Sequence, residues 1–254
     1  MKTIKGFVKK YWITVLIFAG LVLLYYYVAD VKMLNPYLFP TTEKIAAAFE
    51  SNKEVMLTNM LASFKLLIPS VFLSLVIAVI FGTIMGLNKK IREALHPVIY
   101  AFSVIPSILL SPFVLLLSPT LLSASIFLVV YNIVWATLFA TITGIMTIDK
   151  RYLDKAATLE LTGVKRFMKV ILPAASPSIL AGFVNSLRSS FVMLVFAEMY
   201  GGGSGMGYFC KKMNSELGVF ANTWVGFIFM VIVLVVVMQI FEKVKEQLLK
   251  WTID

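Results

Sequence analysis

The residues able to do chemistry in this chain are few and scattered. There is one histidine, His96, and one cysteine, Cys210, among 254 residues. A histidine relay or a histidine-based metal centre needs several such side chains to converge, so no metal site is expected. His96 reads instead as a polar residue at a helix start, ahead of Pro97. A lone thiol permits no intrachain disulfide. The run GGGSGMG at 201–207 has the glycine content of a phosphate cradle but lacks the Lys-Ser/Thr ending. No G-x-x-x-x-G-K-S/T occurs anywhere in the chain, so nucleotide would have to be handled by another polypeptide. The run reads as a tight or flexible turn. A lipid-modifying enzyme would want clustered acids to hold a metal, and a channel would want a filter or pore ring. Neither is legible.

Three ionisable residues stand in or near apolar runs: Lys65, Arg188 in NSLRSSFVM and Glu198 in FAEMY. Charge at membrane depth is costly and usually faces a pathway or a partner. Arg188 can attract an anion in a pathway, or pair with a carboxylate or backbone carbonyl at a helix contact. Both readings stand. Glu198 is ten residues further along, about 15 Å on a helix, too far for a direct pair. Asn185, Ser186, Ser189 and Ser190 give the same segment a polar side. Asn185, Arg188, Ser189 and Glu198 are thus candidate translocation-path or helix-contact residues.

The elements that must carry these groups follow from hydropathy. With 60% hydrophobic residues, 14% charged residues and a mean hydropathy of +0.91, the chain has too little polar surface for a soluble globule. Apolar runs near 11–29, 63–87, 96–117, 120–146, 176–199 and 222–242 are each long enough to cross a hydrocarbon layer of roughly 30 Å. They are continuous rather than alternating, so helix is the spanning element. The expected fold is a single all-α integral membrane domain, 1–254, of about six transmembrane helices. The run from Tyr11 to Ala29 is longer than a signal core and ends in tyrosines without a small-x-small site, so it reads as a retained first helix.

Lys and Arg set the orientation. Sixteen fall in the N-terminal segment (Lys2, Lys5, Lys9, Lys10), the second and fourth loops, and the C-terminal segment. Five (Lys32, Lys44, Lys53, Lys211 and Lys212) fall in the alternate loops. The positive-inside rule therefore puts both termini in the cytoplasm. The net charge of +10 belongs to this asymmetry; no basic-aromatic module accompanies it, and nucleic acid is not an expected partner. On the outer side, Thr41 or Thr42 can cap a short amphipathic helix through Phe49. Prolines 69, 106, 112, 119 and 177 can kink spans.

The cytoplasmic loop 149–173 interrupts the oily chain with DKAATLELTGVKRFMKVILP. Leu153, Ala157, Leu161, Val164, Met168 and Ile171 recur at steps of three and four, tracing one face of a helix. Asp149 is a candidate N-cap and Gly163 a place to turn. Lys155, Lys165, Arg166 and Lys169 lie on other faces. On periodicity alone this is either an interfacial helix on anionic lipid or a docking element for a protein partner.

The segment resembles the EAA loop of binding-protein-dependent ABC importer permeases, which carries E-A-A, Gly at the seventh place and Leu-Pro at the nineteenth and twentieth. Counting from Asp154, which stands for the Glu, Ala156 takes the second Ala and Leu172-Pro173 close the pattern, with Val170 for the usual Ile or Val. Lys155 departs from the first Ala and Glu160 from the Gly. From about Phe39 onward the chain is similar to the nitrate/sulfonate/taurine-type subfamily: LFPTTEKIAAAF, IPSILLSPFVLLL, GIMTIDKRYLDKAA and AEMYGGGSGMGY each match a family signature in order. The usual WFG after the third helix is replaced by LLSPT.

The resemblance implies a type I ABC importer permease: a non-catalytic permease subunit in the bacterial inner membrane, paired with a second copy or a paralogue. ABC ATPase subunits carrying ATP and Mg would sit beneath, and an extracytoplasmic substrate-binding protein above. Loop 149–173 would be the coupling helix, with Asp154, Ala156, Ala157, Glu160, Leu161, Gly163, Val164 and Phe167 its contact residues. Gly203, Ser204 and Gly205 would touch the binding protein. A small anion such as sulfonate, taurine or nitrate is the favoured solute. A pyrimidine or other vitamin precursor is the alternative, and a membrane-embedded enzyme or channel a distant one.

Overall fold

The computed structural model describes residues 2–31, 34–216 and 219–250, and side chains outside 2–11 and 215–216. Of the residues counted for orientation, Lys32 and the side chains of Lys2, Lys5, Lys9 and Lys10 lie outside this description. Among the described residues every regular element is helical. Helices close their backbone hydrogen bonds within one segment, which is what so apolar a chain requires. In order they are α1 (Lys2–Asp30), α2 (Thr42–Leu87), α3 (Lys89–Ser103), α4 (Ser107–Leu117), α5 (Leu121–Met146) and α6 (Lys150–Thr158). α7 (Gly163–Arg166) then runs through a π-helical turn, Phe167–Ile171, into α8 (Leu172–Gly201). α9 (Met206–Lys211) and α10 (Phe220–Leu248) complete the chain.

The short outer helix and the second span are one element. α2 runs unbroken for 46 residues, about 69 Å at 1.5 Å per residue, well beyond the roughly 40–45 Å of a whole bilayer. Nothing stops it: the stretch after Pro40 contains neither Gly nor Pro before Pro69, which α2 absorbs. The expected cap is absent as such. Thr41 is the N-cap residue without a side-chain cap bond, while the Thr42 hydroxyl donates to Asp30 Oδ2 at 3.0 Å, tying α1 to α2.

The stretch expected as the third span is two helices. α3 and α4 meet at 88° across Val104–Pro106. Pro106 offers no N–H and pushes the residue before it out of the helical region, so the turn falls there, whereas Pro97 and Pro112 remain inside helices. The pair nevertheless makes a full traverse, because its neighbours are parallel. A Cβ on Gly82 would lie 2.6 Å from Thr141 Cβ, and one on Gly86 would lie 2.9 Å from Ile145 Cβ. Four residues along α2 thus match four along α5 in the same direction. α3 and α4 must carry the chain back between them. Among the described residues five helices are individually long and apolar enough to cross a membrane, and the bent pair, taken as one span, makes six.

The core is the α2–α5–α8 trio. Leu66 and Leu67, Leu128, Val129 and Ile133, and Leu187, Phe191 and Leu194 form its main buried cluster. α8 runs antiparallel to α5: a Cβ on Gly144 would sit 2.7 Å from Ser178 Cβ, and one on Gly182 would sit 2.2 Å from Ala140 Cβ. Small residues let the backbones close, and Ser70, Thr141 and Ser190 turn their hydroxyls back onto their own helices. α1 stands apart, with 6% of its apolar stretch buried. It meets the bundle mainly where Tyr25 donates to Pro40 O at 2.8 Å and packs its ring, tilted by 51°, 5.3 Å from that of Trp224.

Gly182→Ala should therefore destabilise the α5–α8 contact by about 1–3 kcal/mol, the usual range for forced overpacking. Gly20→Ala, with nothing within 4 Å of the added atom, should be neutral or slightly stabilising, since alanine favours the helix over glycine. Thermal unfolding of the detergent-solubilised chain checks both.

Candidate functional site

The loop between α5 and α8 is built from its caps. Asp149 takes the N-cap of α6 as expected, its carboxylate accepting from Arg151 N at 2.9 Å. The Arg151 guanidinium also donates to it at 2.9 and 2.6 Å, which holds the carboxyl below the usual carboxylate range. α6 ends in a Schellman motif. Glu160 N donates to Ala157 O and Leu161 N to Ala156 O, both at 2.9 Å, with Glu160 left-handed at φ 52°. Glycine is the residue that fits such a position without strain, so Glu160 keeps the backbone that the family glycine would adopt. Gly163, at φ 53°, makes a second left-handed turn, and nothing lies within 4 Å of its missing Cβ. The loop therefore bends twice where one turn was expected.

Those bends break up the expected apolar face. Ala156, 1% exposed, seats α6 on the bundle. Leu153 and Phe167 are half-buried and pack against the Ile145–Ile171 cluster. Asp154, Ala157, Glu160 and Gly163 are exposed, and Leu161 is half-buried. Leu159, Val164 and Met168 project at 61%, 77% and 55% exposure. Between α6 and the start of α8 lies a groove of about 750 Å3, lined by Asp149, Tyr152, Lys155, Leu159, Lys169 and Pro173 among others. This loop, the α2–α3 junction and the end of α10 share one end of the bundle.

Arg188 makes a helix contact. Its Nη2 donates to Glu242 Oε1 of α10 at 2.8 Å, and Glu242 also accepts from Lys245 at 2.5 Å. Its side chain nonetheless stays 62% exposed, on the wall of a cleft of about 1460 Å3 between α1, α8 and α10. Asn185 and Ser189 are exposed on α8, and the amide of Asn132 on α5 donates to Ser189 Oγ at 3.3 Å. Ser186 and Thr137 share a hydrogen bond at 3.0 Å inside the α5–α8 contact.

Glu198 stands apart from these, buried to 2% exposure under the glycine-rich turn. Its Oε2 accepts from Gly207 N at 2.8 Å, while Gly205 N donates to Asn59 Oδ1 and Met206 N to Ser63 Oγ, each at 3.0 Å. Three N–H groups at the start of α9 are thus satisfied by side chains of α2 and α8. Gly205, at φ 110°, leaves no room: a Cβ there would lie 2.4 Å from the Glu198 carboxyl carbon. Gly203 and Ser204 are exposed and Gly205 is buried. The turn is held by a carboxylate.

His96 lies inside α3 rather than at a helix start, its ring exposed and stacked on Tyr100 at 6.1 Å. α3 begins at Lys89 because Asn88 caps it, accepting from Ile91 N. Among the described residues no three metal-capable side chains converge. Burial pushes the Cys210 thiol up to about 11, with the Glu198 charge adding to it. Sequence reasoning missed Asn59, Ser63, Asn132 and Glu242. Asn132, an amide within an apolar run, carried a signal; the others pair across long separations that periodicity cannot see.

An α-helical bundle with small-residue contacts, a broken third traverse and a doubly bent loop at one end defines the class: a multi-pass membrane protein. Residues 56–250 match the family described as binding-protein-dependent transport system inner membrane component, and the chain belongs to that family. It is 27% identical over 182 residues to the nitrate import permease protein NrtB of Leptolyngbya laminosa, covering 66% of this chain and 65% of that protein. It is 23% identical over 195 residues to the formylaminopyrimidine transport permease protein ThiX of Halalkalibacterium halodurans, covering 75% and 78%. With the putative aliphatic sulfonates transport permease protein SsuC of Bacillus subtilis it shares 28% over 178 residues, 69% and 63%. The matches to NrtB and SsuC thus span a little under two thirds of those proteins. In fold it is similar to a chain of the MetNI methionine ABC transporter in an inward facing conformation, at a TM-score of 0.59 and 15% identity, covering 73% of this chain and 94% of that one. A chain of an amino acid ABC transporter superposes at 0.55 with 16% identity, covering 79% and 95%.

The left-handed Glu160 generates a local expectation. A non-glycine residue there costs about 1 kcal/mol, so Glu160→Gly should slow hydrogen exchange of the amides at 160 and 161 severalfold. Glu160→Val should speed it, since a branched Cβ fits this conformation worst.

Proposed function

We propose that the chain is the membrane-spanning permease subunit of an ATP-driven importer and forms the translocation path for a small solute handed over by an external binding protein. Family membership and the fold support the role. The observation that carries the coupling assignment is the apolar surface of the doubly bent loop: Leu159, Val164 and Met168 stand exposed between Lys155, Lys165 and Lys169. An apolar knob with a basic rim suits a groove on a partner whose rim is acidic. The partner is an ABC ATPase, which holds ATP and Mg. Asp154, Ala157, Glu160, Leu161, Gly163 and Val164 form the contact. Ala156 and Phe167 position it from behind.

The positive-inside rule puts that loop and both termini in the cytoplasm of a bacterial inner membrane. A second copy or a paralogue completes the path, and the bundle's outer surface meets lipid. Gly203 and Ser204 are free to touch the binding protein, while Gly205 shapes the turn. Nucleotide-driven closure of the ATPases would draw the loops together and shift the spans between inward-open and outward-open states.

A small anion is the favoured solute, from the nitrate and sulfonate relatives. A pyrimidine precursor is the second reading, favoured by the ThiX likeness.

Val164→Asp puts a like charge where an acidic rim is expected and alters a side chain with few contacts of its own. It should abolish co-purification of a stoichiometric ATPase and ATP-driven uptake while leaving thermal unfolding unchanged. Retained co-purification would remove the coupling assignment.

A further inference from the structure

The break between α3 and α4 falls at mid-depth in the bundle. Phe102 O accepts from Tyr131 Oη at 2.5 Å, and the Ser107 hydroxyl donates to Asn132 Oδ1 at 3.2 Å, with Met193 Sδ also 3.2 Å away. Asn132 is the twelfth of the 26 residues of α5, and its partner Ser189 is the eighteenth of the 30 of α8. A polar ladder, Ser107 to Asn132 to Ser189 to the Ser186 carbonyl, thus ties three helices beside the unwound residues. Its outer side is open: Val104 is 63% exposed, and Pro106, Asn185 and Ser189 are also exposed.

Non-helical backbone at this depth is tolerated only where protein buries it or where it borders water, and an open row of amides and hydroxyls has no reason to face lipid. We propose that the α3–α4 break and the Asn132–Ser189 pair border the aqueous path at its midpoint, and that Asn132 is a solute-contacting residue for small anions bearing acceptor oxygens. This rests on the permease reading and deepens it. The polar hydrogens of the ladder point to the solute class. Ser107 gives its proton to Asn132 Oδ1 and Ser189 gives its proton to Ser186 O, while Asn132 gives one of its two N–H groups to Ser189 and keeps the other. That N–H is the group the ladder can offer to an acceptor oxygen. Asn185, one helical turn before Ser189, adds a second amide to the same face.

The single native cysteine makes the test clean. In a Cys210→Ser background, Val104→Cys and Asn132→Cys are introduced into the full chain in membrane vesicles and treated with a charged methanethiosulfonate. Val192→Cys and Phe72→Cys, at apolar positions 73% and 68% exposed, serve as controls. Positions 104 and 132 should label roughly tenfold faster than the controls, because the reagent meets thiolate only where water reaches. Nitrate or methanesulfonate should slow labelling at 104, and Asn132→Leu should remove that protection. Val104→Cys leaves the ladder intact, so the result does not hang on folding of the position-132 variant. Labelling at control rates would show the break to be dry, against lipid or a second copy, and would overturn the proposal. Fast labelling that neither anion slows would overturn the solute contact. Either failure would leave ATPase co-purification, and with it the permease reading, intact.

Discussion

In hydrocarbon a backbone N–H or C=O has only protein to bond to. That constraint shapes this molecule more than any side-chain interaction. It forces continuous helices and lets α2 run through Pro69. It also singles out Val104–Pro106, where helical bonding lapses at mid-depth. Close packing of the remaining backbones then needs glycine, alanine and serine at the contacts, because the lipid supplies no hydrophobic drive for helices to associate.

Polar residues within the bundle divide by what they hold. Glu198, Asn59 and Ser63 hold backbone: together they satisfy the N–H groups at the start of α9 and fix the glycine turn against the core. Arg188 and Glu242 hold two helices at the edge of a wide cleft. The Ser107–Asn132–Ser189 ladder holds three helices and keeps one side open. A charged pair or an open ladder can exchange partners with water at modest cost, whereas a buried carboxyl group cannot, so contacts of the last two kinds are the ones that would yield in the proposed transport cycle.

Loop 149–173 shows how a short motif encodes shape. Its spacing is a chain of caps: an N-cap at Asp149, a Schellman stop at Glu160 and Leu161, a left-handed glycine at 163, and then a π-helical turn into α8. Two left-handed residues within four positions turn α6 back across the bundle end and leave Val164 at the tip. Glu160 shows that the backbone conformation is set by the hydrogen bonds of the helix stop, which act on whatever residue stands there.

Sequence alone determined that the chain is a helical membrane protein with about six apolar runs, which of its loops are basic, and that a capped, charged segment at 149–173 interrupts those runs. These are properties of local composition and of motifs close together in the chain, where hydropathy, charge and capping act within a turn or two. Only the tertiary structure decided that the third traverse is bent by 88°, that α2 is one helix, that Arg188 pairs with Glu242, that Phe167 packs against the Ile145–Ile171 cluster, and that Asn59, Ser63 and Glu198 anchor residues 205–207. Those outcomes depend on which side chains meet across separations of up to 146 residues. Periodicity fixes the face a residue occupies on its own helix, and packing selects the neighbour that face will find.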